Sequence, residues 1–132
     1  MMAQYAPVAA NVEAIGRNVV DAAVKVHVAL GPGLLESSYL ACLAHELDKR
    51  GLRVETQVPL ALVYNEIRMP IGYRVDLLIE GLVVVEIKAV SHVLPVHEAQ
   101  LLTYMRLPEY RLGFLLNFHV EPMKQGVKRM VL

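Results

Sequence analysis

The sequence predicts a mixed α/β fold in the order helix, helix, three strands, helix, two strands. Three observations lead there. An apolar stripe of helical period runs up to Leu30 and stops at Gly31-Pro32-Gly33. The valine-rich run Leu82 to Ala89 reads as a strand buried on both faces at the centre of a sheet. Pro95 and Pro108 bracket a helix-length segment between that run and a second buried one, Arg111 to Phe118.

The first helix is expected from about Asn11 to Leu30, with Asn11 or the residue before it as cap. Val12, Ile15, Val19, Ala22, Ala23 and Val26 form its packing stripe, and Arg17, Asp21 and Lys25 lie outside it. A second helix spans about Leu34 to Arg50 and ends at Gly51, with Leu35, Leu40, Leu43 and Leu47 packing inward. Strands follow at Arg53 to Tyr64, where Pro59 implies an edge position or a bulge, and at Ile67 to Ile79, interrupted near Pro70-Ile71-Gly72. Asn65-Glu66 is the turn between them. After the central strand comes a loop, Ser91 to Leu94, then a third helix from Pro95 to about Leu107, closed by Pro108. Arg111 to Phe118 and Val127 to Leu132 are the last two strands. No repeat, low-complexity tract or linker interrupts residues 1–132, so one domain is expected.

Into the central strand the sequence places Glu86 and Lys88. Alternation sets both on one face, with Val83, Val85 and Ile87 on the other. Charges there cost free energy unless they are paired, metal-bound or opened to a cleft, and a structural ion pair is the simplest reading of the two alone. Asp76, on the preceding strand, changes that reading if it shares their face. A two-residue turn with Ile79 opposite Leu82 would set Asp76 opposite Val85, away from Glu86. A three-residue loop, Ile79-Glu80-Gly81, with Gly81 left-handed, pairs Leu78 with Leu82 and Asp76 with Val84. Asp76 is then the diagonal neighbour of Glu86, ~7–8 Å away between α-carbons, and both carboxylates can hold one cation. The loop is the expectation, because the turn strands an aspartate among apolar partners.

Composition narrows the function classes. The chain has 132 residues, is 55% hydrophobic, and balances 13 Lys and Arg against 13 Asp and Glu. That is enough chain for a core without disulfides. The high apolar fraction points to an efficiently buried sheet and to a homo-oligomer or partner-protein interface. No apolar run reaches ~18 residues, so no membrane span is expected, and Met1 to Pro7 lacks the character of a signal peptide. The lone Cys42 reads as a small core residue, in keeping with a reducing cytoplasm. A neutral total argues against tight non-specific binding to DNA, while leaving room for a local patch. No phosphate-binding loop, zinc-ligand spacing, dinucleotide fingerprint or serine nucleophile elbow is present.

Other polar residues have plain readings when taken singly. Glu36, three before Tyr39, is a first-turn acid that complements the helix dipole. Gln100 and Tyr104, four apart on the third helix, read as a polar stripe opposite Ala99, Leu102 and Met105. His97 reads as a solvent-facing or cap-side residue, and His27 as structural at the end of the first helix.

Together these residues resemble a known pattern. Asp76, then Glu86-Ile87-Lys88, then Gln100-Leu101-Leu102-Thr103-Tyr104 is similar to the D…ExK…QxxxY series of the PD-(D/E)XK nuclease superfamily in its RecB-type branch. Gly33-Leu34-Leu35-Glu36-Ser37-Ser38-Tyr39 resembles the GxxExxY signature of one family within it. Val26-His27, Leu30 to Gly33 and Val96 to Leu102 add to the likeness, which spans about Ile15 to Leu132. ExK alone is weakly specific; the four elements in this order are strongly so. Arg74-Val75-Asp76 stands where the superfamily's name has Pro-Asp.

The resemblance implies a restriction-endonuclease-like α+β core, a mixed four- to five-stranded sheet flanked by helices, with two helices at the N-terminal side. It further implies a nuclease that hydrolyses nucleic acid, DNA before RNA, with Mg²⁺ or Mn²⁺ as cofactor. Glu36, Asp76, Glu86 and the carbonyl of Ile87 would then hold the ion. Lys88 would orient the attacking water or stabilise charge on phosphorus, and Gln100 and Tyr104 would position Lys88, the water or a phosphate. Two other classes fit the same residues: a nuclease-like fold that binds nucleic acid without cutting it, and a protein-interaction module.

Overall fold

The computed structural model describes residues 6–106 and 109–132, with the side chains of residues 70–72 excepted. The expected end of the third helix at Leu107 and its closure by Pro108 lie outside them. Helices α1 (Ala10–Leu30) and α2 (Glu36–Lys49) are followed by β1 (Val54–Tyr64), β2 (Ile67–Ile79) and β3 (Val83–Lys88). Helix α3 (Pro95–Arg106), β4 (Leu112–Asn117), a 3₁₀ turn (Met123–Gly126) and β5 (Val127–Val131) complete the described chain. The strands form one five-stranded sheet in chain order. Only β3 and β4 are parallel, with α3 as the connection between them. Among the described residues, no helix is long and apolar enough to cross a membrane.

The stripe expected on α1 is the buried one: Val12, Ile15, Val19, Ala22, Ala23 and Val26 all pack inward. Gly16 completes that face, since a β-carbon there would come within 2.9 Å of Leu112. Asn11 lies inside the helix and Ala9 is its N-cap, with no side-chain cap bond. On α2 the buried residues are Tyr39, Leu43 and Leu47. Leu35, expected to pack, is the helix's N-cap residue and is 75% exposed. Cys42, expected in the core, is exposed on α2.

The sheet separates two apolar layers. Val12 to Val26 of α1 and Tyr39, Leu43 and Leu47 of α2 pack on Leu77, Ile79, Val83, Val85, Ile87, Leu112, Phe114 and Leu116. On the other side, Leu101, Tyr104 and Met105 of α3 pack on Leu60, Val75, Leu78, Val84 and Leu115. Met105 is buried as expected, but Leu101 and Tyr104 complete the buried face of α3 in place of Ala99 and Leu102, so Tyr104 is not part of a solvated stripe. Pro59 sits on β1, the edge strand, as expected from its missing N–H. The irregularity expected near Pro70-Ile71-Gly72 is a register shift: Ala61 pairs with Gly72 and Leu62 with Met69.

What positions the site is a fork between β2 and β3. Their ladder holds three pairs, Ile79 with Val83, Leu78 with Val84 and Leu77 with Val85. Beyond it β2 continues on β1 alone, while β3 continues on β4 to Lys88. The connection is an odd, three-residue loop, Glu80-Gly81-Leu82, with Glu80 and Gly81 both left-handed at φ 54° and 64°. The expected parity holds, but the loop lies one residue later than predicted. Asp76 therefore stands across from Glu86 rather than diagonal to it.

Candidate active site

Asp76 sits at a break in both of its ladders. Towards β1 the ladder runs from Thr56–Leu77 to Val58–Val75 in one register but without a pair between Gln57, whose φ is +52°, and Asp76. Val75 and Leu78 pack on the same layer although they are three residues apart, so strand alternation breaks at this point. Towards β3 the backbone ladder ends, and two carboxylates take over from it. The Asp76 N–H donates to Glu86 Oε1 at 3.1 Å, and the Ile87 N–H donates to Asp76 Oδ2 at 2.8 Å. The N–H and C=O of one strand residue point to the same edge. The Ile87 carbonyl is therefore directed, like its N–H, towards the fork.

Glu86 is 8% exposed, and Asp76 and Lys88 are half-buried. Burial first, then the Asp76 charge, pushes the Glu86 carboxyl up to about 8, against the opposing pull of the Asp76 N–H and of Lys88. Asp76 is also raised, first by burial; the Ile87 N–H and Lys88 counteract this, and the charge of Glu36 adds to it. Two carboxyls this close and this dry cannot both ionise cheaply. Burial and the neighbouring Asp76 thus favour the protonated form of Glu86.

Lys88 lowers both carboxyls through its charge, yet among the described residues no ion pair joins it to either. The structural ion pair read from the strand alone does not form. Its place is taken by the two carboxyls and two backbone N–H groups, which leaves the ammonium for something else.

Glu36 opens α2 and is exposed. Tyr39, three residues further on, is fully buried and braces the turn before the helix. The Tyr39 hydroxyl donates to the Gly31 carbonyl at 2.5 Å and accepts from the Leu34 N–H at 3.1 Å, pinning the Gly31–Leu34 turn. Its ring stacks on Phe118 with centroids 4.5 Å apart. Glu36 is close enough for its charge to raise Asp76. Even so, among the described residues no three His, Cys, Asp or Glu side chains converge into a ready-made metal cage.

Helix α3 brings Tyr104 to the site. Burial first, then the charges of Glu86, Tyr73 and Asp76, raises its hydroxyl, so Tyr104 faces the carboxyl pair as a neutral donor. Gln100 is exposed, and with Tyr73, Val96, Ala99, Thr103 and Tyr104 it lines a cavity of about 160 Å³. The His97 Nδ1 accepts the Leu94 N–H at 3.0 Å, the cap-side role expected of it. His27 is buried near Phe118, with ring centroids 6.3 Å apart, and among the described residues its Nε2 has no partner. A larger cavity of about 730 Å³ lies between the end of α1 and Glu121–Lys124, and neither Asp76 nor Glu86 lines it. The carboxyl pair, not cavity size, marks the chemistry.

Two residues escaped the sequence reading. Asn117, 3% exposed at the end of β4, accepts the Val90 and His119 N–H groups at 3.1 and 3.2 Å and donates to the Val90 carbonyl at 2.8 Å. It fixes the chain just after Lys88. Its signal was a lone amide ending an apolar run. Tyr73, three residues before Asp76, packs its ring against Tyr104 at 5.2 Å; nothing but its place on the strand before Asp76 marked it.

A family model of the PD-(D/E)XK nuclease superfamily matches residues 13–130, from α1 through β5. No curated protein and no solved structure gives a significant match to the chain.

Proposed function

This chain belongs to the PD-(D/E)XK nuclease superfamily, and from that premise we propose that it is a divalent-metal-dependent nuclease that hydrolyses phosphodiester bonds, in DNA before RNA. Its placement in the GxxExxY family of the RecB-type branch belongs to the same proposal, carried by Gly33 to Tyr39 and Gln100 to Tyr104. The observation that carries the function is the Asp76–Glu86 pair at the fork, a half-buried and a buried carboxyl that accept each other's strand N–H groups.

A hard divalent cation suits this donor set. A cation's positive charge offsets the burial that raises both carboxyls and the Asp76 charge that further raises Glu86. Asp76 and Glu86 would hold the ion, with the Ile87 carbonyl completing the set and Glu36 contributing from α2, directly or through water. When bound, the ion supplies Lewis-acid activation of water and neutralises charge developing on phosphorus.

The chain's own residues do the rest. Lys88, with no ion-pair partner among the described residues, offers its ammonium to a phosphate oxygen or to the attacking water. Tyr104 donates a hydrogen bond from beside the carboxyls. Gln100 orients what enters from the α3 side. Asn117 holds the backbone after Lys88 and so restricts where the ammonium reaches.

The test is cleavage of labelled DNA and RNA with Mg²⁺ or Mn²⁺. The wild type is expected to cut only with the ion present. Lys88→Ala is expected to lose about 10²-fold or more in rate while keeping its thermal stability, since no ion pair is broken. A second reading, a non-cleaving module that binds nucleic acid or a partner protein, is favoured by the neutral charge and by exposed Val28, Leu35, Tyr64 and Ile67. It prevails if neither nucleic acid is cut under any of these conditions.

A further inference from the structure

Beside the carboxyl pair, Tyr73 of β2 and Val96, Ala99, Gln100, Thr103 and Tyr104 of α3 enclose a slot of about 160 Å³. The Tyr73 and Tyr104 rings meet at 47° with centroids 5.2 Å apart. Tyr104 is almost fully buried, whereas Tyr73 is 41% exposed and Val96 52% exposed. Tyr73 and Val96 thus leave apolar surface open in the lining of the slot. We infer that this slot takes one unpaired nucleobase, so that the substrate of the neighbouring site is single-stranded nucleic acid. The inference rests on the phosphodiesterase reading above and names its substrate class.

Four features carry it. The slot has room for one planar base and not for a base pair, so a duplex enters only if a nucleotide is flipped out at the cost of unstacking. Its polar groups match a base edge. The Thr103 hydroxyl already donates to the Ala99 carbonyl at 2.9 Å and offers the slot only acceptor lone pairs, while the Gln100 amide brings both a donor and an acceptor. Tyr104 forms part of the slot and also feels the charges of Glu86 and Asp76, so a base held here sets its own phosphate beside the carboxyls.

The fourth feature is charge. With 13 basic and 13 acidic residues, the chain has no net positive charge to favour a duplex by its phosphates. Stacking does not need one, because every base has a π-face. On the ribbon of β1 and β2, Leu60 pairs with Tyr73, and beyond the register shift Leu62 and Tyr64 are 36% and 66% exposed.

The experiment compares a labelled DNA or RNA strand, its duplex, and the same strand carrying abasic sites. Affinity is read by fluorescence anisotropy with Ca²⁺, and initial cleavage rates are read with Mg²⁺. The intact strand should bind roughly tenfold or more tightly than the abasic strand or the duplex, the order expected of one base–aromatic stack. Tyr73→Ala should bring the intact strand down to the abasic level, and Tyr73→Phe should retain the wild-type preference. Equal affinity for intact and abasic strands, a preference for duplex, no binding to any of them, or an unchanged Tyr73→Ala overturns the slot. If the intact strand is preferred but never cut, the slot stands and the phosphodiesterase reading falls. If duplex is cut at rates indifferent to Tyr73, the reverse holds.

Discussion

Glu86 carries a proton that its unfolded counterpart loses near pH 4.5, because burial and Asp76 hold it up to about 8 in the folded chain. The folded state therefore binds more protons than the unfolded state between those values, and stability must fall as pH rises through that window. Asp76, raised by the same burial, contributes with the same sign. In EDTA, the melting temperature should drop steadily from about pH 5 to about pH 8, the Glu86 contribution being on the order of a few kcal/mol. Glu86→Gln keeps the shape and offers an N–H to Asp76 in place of the carboxyl proton. It should flatten this slope and make the metal-free protein more stable than the wild type at pH 8. A variant that melts with the wild-type pH profile would show that Glu86 does not hold this proton. Asp76 and Glu86 were both legible in the sequence as polar residues in apolar strands. Their direct opposition was not, because register follows where a ladder ends, and this one ends where the carboxylates take over the backbone donors.

Helix α2 shows how a motif residue serves its site at second hand. Tyr39 was read beside Glu36 as part of one helix face, but its ring belongs to the core and its hydroxyl ties Gly31 to Leu34. Tyr39→Phe keeps the stacking on Phe118 and removes both hydrogen bonds. It should cost about 1 kcal/mol in urea denaturation and loosen the turn that places Glu36. Mn²⁺ affinity should fall with it, whereas Asp48→Asn, exposed further along α2, should change neither. Wild-type affinity in Tyr39→Phe would reduce Glu36 to a first-turn acid. The stripe of α1 was legible residue by residue because a long amphipathic helix repeats its signal over several turns. The faces of α2 and α3 were less so. Leu35 precedes the first turn and points outward, and α3 buries Leu101, Tyr104 and Met105 where the pattern also allowed Ala99 and Leu102.

Taken as one object, the protein pairs a buried, charge-bearing fork with a neutral surface. Element order followed from apolar periodicity and proline positions, whereas the parallel β3–β4 pairing and the slot beside the fork appear only once the strands and α3 are assembled. Neutrality has a consequence for substrate binding. Few phosphates can be neutralised at once, so the logarithm of affinity for a single strand should fall only shallowly with the logarithm of salt concentration. A steep slope would mean a local basic track that outweighs the total. The central claim is that a divalent ion at Asp76 and Glu86 displaces the Glu86 proton. Titration calorimetry with Mn²⁺ near pH 7, in two buffers of different ionisation enthalpy, measures this directly. The account predicts that one ion binds with release of about one proton, and that Asp76→Asn and Glu86→Gln each weaken binding at least about tenfold. Binding without proton release and unchanged in both variants, or no binding at millimolar Mn²⁺, would contradict it.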